Sequence, residues 1–320
     1  MELTTSAILG FRTRYETILN QAYNLAQPKY KEVAFVFNSG RVAQVLHRWM
    51  GGIGYPRELT DERQIANLNN KGFTVTNKLW EKTVGIPRVD LERDQYGIYD
   101  PEIQRLGQYS MLHRDQLCFG LLSDALAAGT RASYVAYDGI AFFGTHNTGV
   151  VAYTNYTSGG GSVLSESTLS TAIVSLRNRR DLAGAPLAAA QEKPLLVVPP
   201  ALELTAKKLA NQAWYPTVAP GASATQSSSN YAAAGENVLQ GMFDVLVSPY
   251  LKTSTEWHLM INKDVYKPVI FQLEQELEML TPPQFFNEDF TKRDQFVVGT
   301  RALYNVATGL PEMVYSSVGA

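Results

Sequence analysis

Apolar residues recur at helical spacing from the start of the chain. Ile8, Phe11, Tyr15, Ile18, Leu19 and Ala22 fall on one face of a helix predicted over 4–26, which Pro28 ends. A terminal helix needs something to dock on, and its own chain or a neighbouring subunit would serve equally. Period two takes over at Phe73 and Val75, which alternate with Thr74 and Thr76. With Asn77-Lys78 as a turn, Trp80, Val84 and Ile86 then share a face with Lys82 between them, so a two-stranded hairpin is predicted. Pro87 limits its second strand. A long helix follows. Asp100 is placed as its cap and Pro101 at its first turn, and Ile103, Leu106, Leu112, Leu117, Leu121, Leu122 and Leu126 carry it toward Gly129. It would run about 40 Å, with Gly107 and Gly120 as weak points in its continuity. Leu117 and Leu121, four apart, are expected on one buried face.

Beyond it, Leu169, Ile173 and Leu176 mark another helix, and 194–200 is a short apolar run bounded by prolines, hence a buried strand. A helix through Leu202, Leu209 and Ala210 follows it, and strand–helix alternation suggests an α/β subdomain. The uncharged stretch Trp214 to Gly235 reads as a long flexible loop. Further strands are expected at 242–247, 269–273, 296–300 and 303–307. The sequence contains no internal repeat.

Composition narrows the class. Hydrophobic residues make up 45% of the 320 and charged residues 18%, which excludes a disordered chain. No apolar run is long enough for a transmembrane helix, and the start lacks a signal-peptide pattern. The single cysteine, Cys118, excludes an intramolecular disulfide framework, and the net charge of −2 provides no basic field for nucleic acid. Charge is uneven. Residues 41–94 hold nine Lys/Arg and seven Asp/Glu, so this segment is expected to be exposed, whereas between Ala132 and Ser165 only Asp138 is charged. A charged two-stranded excursion is not stable alone in water, so it must lie on something.

Catalytic patterns are sparse. His47, His113, His146 and His258 show no metal spacing, and His113 reads as packed or solvated. Asp138 and His146, eight apart, could form a dyad, but no nucleophile elbow accompanies them. Gly51-Gly52-Ile53-Gly54 and Gly159-Gly160-Gly161 lack the context of phosphate-binding loops. Glu274, Glu276 and Glu278, at period two, share a strand face that reads as a solvated or interface edge. No cofactor, metal or catalytic residue is assigned.

Several separated blocks resemble the Mu-like bacteriophage major head subunit family. They are Trp49, Gly54-Tyr55-Pro56-Arg57-Glu58, Asp61, Arg63 and Leu68; Gly72-Phe73-Thr74-Val75, Asn77-Lys78, Glu81, Val84 and Pro87-Arg88; Asp94 and Gly97-Ile98-Tyr99; Tyr137-Asp138-Gly139, Phe142-Phe143 and His146; and Phe290, Arg293-Asp294, Phe296 and Gly299. Their order and spacing extend over most of the chain. Relatives usually carry Asp-His-Pro after the two phenylalanines, where this chain has Gly144-Thr145-His146-Asn147, and the Trp214–Gly235 loop is no family signature.

The resemblance implies an α+β tailed-phage major capsid fold. Its parts would be an N-terminal arm over 1–35, an extended β-hairpin loop over 36–94, a peripheral domain with a long spine helix over 95–164 and 263–320, and an α/β axial domain over 165–262. It implies a non-enzymatic head protein that self-assembles through pentamers and hexamers into an icosahedral shell around double-stranded DNA, in the virion after assembly in the host bacterial cytoplasm. Scaffold, portal and decoration proteins would be further partners, DNA would be held without sequence-specific contacts, and no membrane is involved. Arm and loop would gain burial from neighbours in head-to-tail contacts that close into rings. Phe73, Val75, Lys78, Trp80, Lys82, Arg57 and Glu58 on the loop are the candidate assembly residues, their mixed charges suited to fixing register. Two other readings stay open: a shell of the same fold around protein cargo, as in an encapsulin-like compartment, and a soluble hydrolase using Asp138 and His146.

Overall fold

The computed structural model describes residues 5–49, 58–59, 71–93, 97–147, 151–157, 161–180, 184–187, 191–215, 235–263, 267–280 and 294–319. The α-helices among the described residues are α1 (Thr5–Leu25), α2 (Tyr30–Val33), α3 (Arg88–Arg93), α4 (Asp100–Leu126), α5 (Glu166–Arg177) and α6 (Glu203–Asn211). The strands are β1 (Ala34–Asn38), β2 (Gln44–Trp49), β3 (Lys71–Thr76), β4 (Lys78–Pro87), β5 (Thr145–Asn147), β6 (Ala152–Thr154) and β7 (Leu195–Val198). They continue with β8 (Trp214–Tyr215), β9 (Gly235–Glu236), β10 (Asp244–Val247), β11 (Glu256–Met260), β12 (Val269–Leu280), β13 (Gln295–Thr308) and β14 (Val314–Val318). The mixture is α+β. The described residues divide into two compact units: one within Met1–His47, Thr74–Cys118 and Ile270–Ala307, the other within Arg48–Phe73, Phe119–Val269 and Thr308–Ala320.

The first unit is built on a four-stranded sheet in the order β1-β12-β13-β4. β4 runs antiparallel to β13 over ten register pairs, from Lys78↔Tyr304 to Pro87↔Gln295. α1 presents Tyr15, Leu19 and Ala22 at intervals of four and three, and all three are buried. Tyr15 and Leu19 pack with Ile86, Leu91, Ile103, Leu106, Phe296 and Val298 in one apolar cluster. Of the two docking surfaces the pattern allowed, α1 therefore has the one on its own chain. Gly107 makes this seat possible, because a Cβ there would lie 2.5 Å from the Leu19 carbonyl oxygen and 3.1 Å from the Ala22 Cβ.

The second unit centres on the sheet β10-β7-β11-β14. β7, Leu-Leu-Val-Val, is buried at every position, as an interior strand with both faces covered must be. It pairs parallel with β10 and antiparallel with β11. α5 starts with a reciprocal cap: the Thr168 amide donates to the Ser165 hydroxyl, and the Ser165 amide donates to the Thr168 hydroxyl at 3.0 Å. Its stripe of Leu169, Ala172, Ile173 and Leu176 meets Leu209 of α6, Leu196 of β7 and Trp257 of β11 in one core.

Several expectations are corrected. β3 and β4 do not pair as a hairpin: β3 pairs with β2, and β4 belongs to the four-stranded sheet. Asn77 joins two sheets, its amide nitrogen donating to Ser39, Val42 and Glu274. The two-stranded excursion is thus β2 with β3. Asp100 lies inside the first turn of α4, paired with Arg14 of α1, and does not cap it. Leu117 is only half-buried, and Cys118, Phe119, Leu121 and Leu122 form the buried face there. Residues 296–300 and 303–307 belong to one fourteen-residue strand, β13. Of the 214–235 stretch, β8 and β9 at its two ends pair with each other, and 216–234 lie outside the described residues.

Candidate functional site

The Asp138–His146 pair does form. A turn with Gly139 at φ +80° brings the Asp138 carboxylate 2.8 Å from His146 Nδ1. His146 Nε2 lies 3.1 Å from the Phe142 carbonyl oxygen, the ring is 2% exposed, and Tyr153 stacks on it at 5.5 Å. Both ring nitrogens are engaged and the ring is shut from solvent. The pair anchors a turn, reinforced by fully buried Asn155, whose amide donates to the carbonyls of Phe142 at 2.7 Å and Pro311 at 3.1 Å. Asn155 carried no sequence signal.

A second, unforeseen constellation has the composition of a triad. His258 Nδ1 lies 2.7 Å from the Ser316 hydroxyl across β11 and β14, and Nε2 lies 4.0 Å from Glu256. His258 and Ser316 are 0% exposed and Glu256 1%, so no substrate reaches them. Burial, partly offset by Glu256, lowers the His258 pKa to about 4 and keeps the ring neutral. The only foreshadowing is that Glu256 and His258 are two apart on one strand, which puts them on one face.

Glu276 lies on a largely solvated face, exposed like Glu278 beside half-buried Glu274, although β12 is interior to its sheet. It pairs with the buried guanidinium of Arg114 on α4. Arg114 also donates to the hydroxyls of Tyr23 and Tyr30 and lies within 5.9 Å of the ring centres of Tyr23, Tyr30, Phe271 and Tyr304. Burial alone would lower the Arg114 pKa, but its bonds to Glu276 and the tyrosines raise it above the usual value. The arrangement holds α1, α4 and the sheet together, with the guanidinium buried and Glu276 at the surface.

A groove of about 540 Å³ opens in the first unit between Leu106, Tyr109 and His113 of α4 and Trp80, Leu277 and Tyr304 of the sheet. Trp80 Nε1 donates to the Tyr304 carbonyl at 2.9 Å, and His113 Nδ1 lies 2.8 Å from the Tyr304 hydroxyl. Burial lowers the His113 pKa.

The candidate assembly residues differ in exposure. Glu58, Lys78 and Lys82 are exposed, Phe73 and Trp80 are half-buried, and Val75 is buried. Arg57 lies outside the described residues. Val75 packs inside this chain, and Trp80 is half-buried with its indole N–H donating to the Tyr304 carbonyl. Among the described residues, no group of three or more His, Cys, Asp or Glu could hold a metal, and no helix is long and apolar enough to cross a membrane.

Among the described residues no open catalytic centre is present; the architecture is the informative feature, and it has known counterparts. The chain superposes on a subunit of the procapsid of bacteriophage JBD30 with a TM-score of 0.56 at 21% identity, covering 99% of this chain and 77% of that one. Against the capsid of Cyanophage P-SCSP1u the TM-score is 0.58 at 11% identity, covering 92% and 89%. The fold is that of the tailed-phage capsid proteins. In sequence, the chain is 31% identical over 143 residues to the major capsid protein of Escherichia phage Mu. That alignment covers 45% of each chain, so less than half of the Mu protein's length is matched. The model of the Mu-like prophage major head subunit gpT matches residues 8–161 and 251–320, and the chain belongs to that family.

Proposed function

We propose that the chain is the major head subunit of a phage or prophage, assembling with copies of itself through pentamers and hexamers into an icosahedral shell around double-stranded DNA. The observation that carries this reading is the family match on both sides of 162–250. The fold shared with capsid subunits supports it. The chain acts as a structural element, not an enzyme. Arm 1–35, loop 36–94, peripheral domain 95–164 with 263–320, and axial domain 165–262 remain our working division. Phe73, Val75, Lys78, Trp80, Lys82, Arg57 and Glu58 remain the candidate assembly residues. Scaffold, portal and decoration proteins complete the particle, which assembles in the host cytoplasm, and the net charge of −2 suits a lining that lets DNA move during packaging.

The test is to express the full chain and examine it by negative-stain microscopy and light scattering, then assay any particles for DNA and protein content. Closed shells or ring-shaped capsomers are expected. A stable 35.4 kDa monomer at high concentration would overturn the reading. Shells that take up only protein when produced with the phage's packaging machinery would favour the compartment instead.

A further inference from the structure

A buried cluster in the second unit joins three segments that are distant in sequence. Glu312, in the 3₁₀ turn Pro311–Met313 just before β14, is 8% exposed. Its carboxyl group meets the Tyr153 hydroxyl of β6 at 3.4 Å and is hydrogen-bonded to the Tyr137 hydroxyl. Arg179, just beyond α5, is 2% exposed and lays its guanidinium over the Tyr153 ring, 4.0 Å from the centroid. Its Nη2 donates to the Thr154 carbonyl at 3.0 Å and to the Ser175 hydroxyl at 3.2 Å, whereas Nε and Nη1 are buried without an acceptor. Asp138 acts on Glu312 from the turn before β5, and Tyr315 of β14 acts on Arg179. His146 reaches the cluster through Asp138 and the face of Tyr153.

The arrangement is unbalanced. Buried N–H donors without acceptors are rare and costly, and here two such nitrogens belong to a cation beside a buried carboxyl group. We propose that Glu312 and Arg179 form a two-position latch controlled by one proton: neutral Glu312 rests between the hydroxyls of Tyr137 and Tyr153, and ionised Glu312 turns to an unused N–H edge of Arg179. The second position exchanges weak hydroxyl contacts for charge-assisted hydrogen bonds. It couples the turn that leads into β14 to the end of α5.

Burial raises the Glu312 pKa to about 7, with Asp138 adding to the rise and the Glu312 amide, Tyr153 and Arg179 opposing it. The changeover therefore falls near neutrality. Because the pKa is raised, the neutral position is favoured at low pH and is lost as pH rises through about 7. This inference is independent of shell assembly and concerns the chain alone.

Hydrogen–deuterium exchange of the full chain, read by mass spectrometry from about pH 5.5 to about 8.5 and corrected for intrinsic exchange, tests it. Wild type should show a step in protection at 151–157 and 311–318, with a midpoint near pH 7. Glu312→Gln, which keeps the shape and removes the proton, should abolish the step. Asp138→Asn should move the midpoint to lower pH by removing a like charge, and Tyr153→Phe should move it up by removing a donor. No step in wild type, or a step retained in Glu312→Gln, would overturn the latch. So would a midpoint that stays fixed in both Asp138→Asn and Tyr153→Phe.

Discussion

Gly107→Ala and Gly120→Ala are the same substitution on the same helix, and they should change stability in opposite directions. Alanine in a helix interior is favoured over glycine by about 0.5–1 kcal/mol. At Gly120 the new Cβ would meet only Lys252 Cε at 3.8 Å, an ordinary contact with the end of a flexible chain, so nearly the full gain is expected. At Gly107 it would lie 2.5 Å from the Leu19 carbonyl oxygen, a backbone atom that cannot rotate away. Either α1 moves or α4 bends. Overpacking of this kind costs about 1–3 kcal/mol, and a backbone obstacle places it at the upper end. After the propensity gain, Gly107→Ala should destabilise by about 1–2 kcal/mol, leaving the two variants about 2–3 kcal/mol apart. Urea unfolding of the unassembled subunit is the assay. The two units need not unfold together, so Trp80 fluorescence would report on the first and Trp257 on the second, with Trp49 and Trp214 replaced by Phe in all samples. A higher first-unit midpoint in Gly107→Ala would refute the reasoning and show that α1 is not seated on α4.

Leu122 is fully buried and Leu117 only half-buried, so Leu122→Ala should cost about 2–5 kcal/mol and Leu117→Ala clearly less, read as urea midpoint and yield of soluble subunit. Equal losses would mean the buried face of α4 is misplaced. Acid should loosen the second unit through His258. Its folded pKa is lowered to about 4 from 6.5, so its contribution is present above about pH 6.5 and lost as pH falls toward 4, at most about 3 kcal/mol. Unfolding midpoints across that window should fall less steeply in His258→Gln, and an unchanged acid limb would place the loss on other groups.

The sequence by itself determined the helices and the strands that answer to a local period. α1 and α4 lie within a few residues of their predicted bounds, and α5 carries the three residues that marked it, because spacing of three and four follows from the helix geometry of each segment alone. β7 was legible because a short apolar run between prolines has few other fates. Family and fold were legible from blocks of residues whose order and spacing extend over most of the chain.

Pairing was decided only by the tertiary structure. Alternation at 73–76 and 80–86 says which side chains share a face, not which strand lies alongside. The partner of Lys78 proved to be Tyr304, far along the chain, instead of a residue across the Asn77 turn. The same holds for the polar groups. Arg114, Asn155, Arg179 and Glu312 look like ordinary surface residues in sequence, and only the fold removes their water and brings their partners to them. Asp138 and His146 show the converse: proximity in sequence did predict their contact, but the burial that makes it a structural anchor comes from residues such as Tyr153 and Asn155 packing around it. A local period is set by backbone geometry within one segment. Strand partners and desolvation depend on segments separated by long stretches of chain, and no local pattern encodes them.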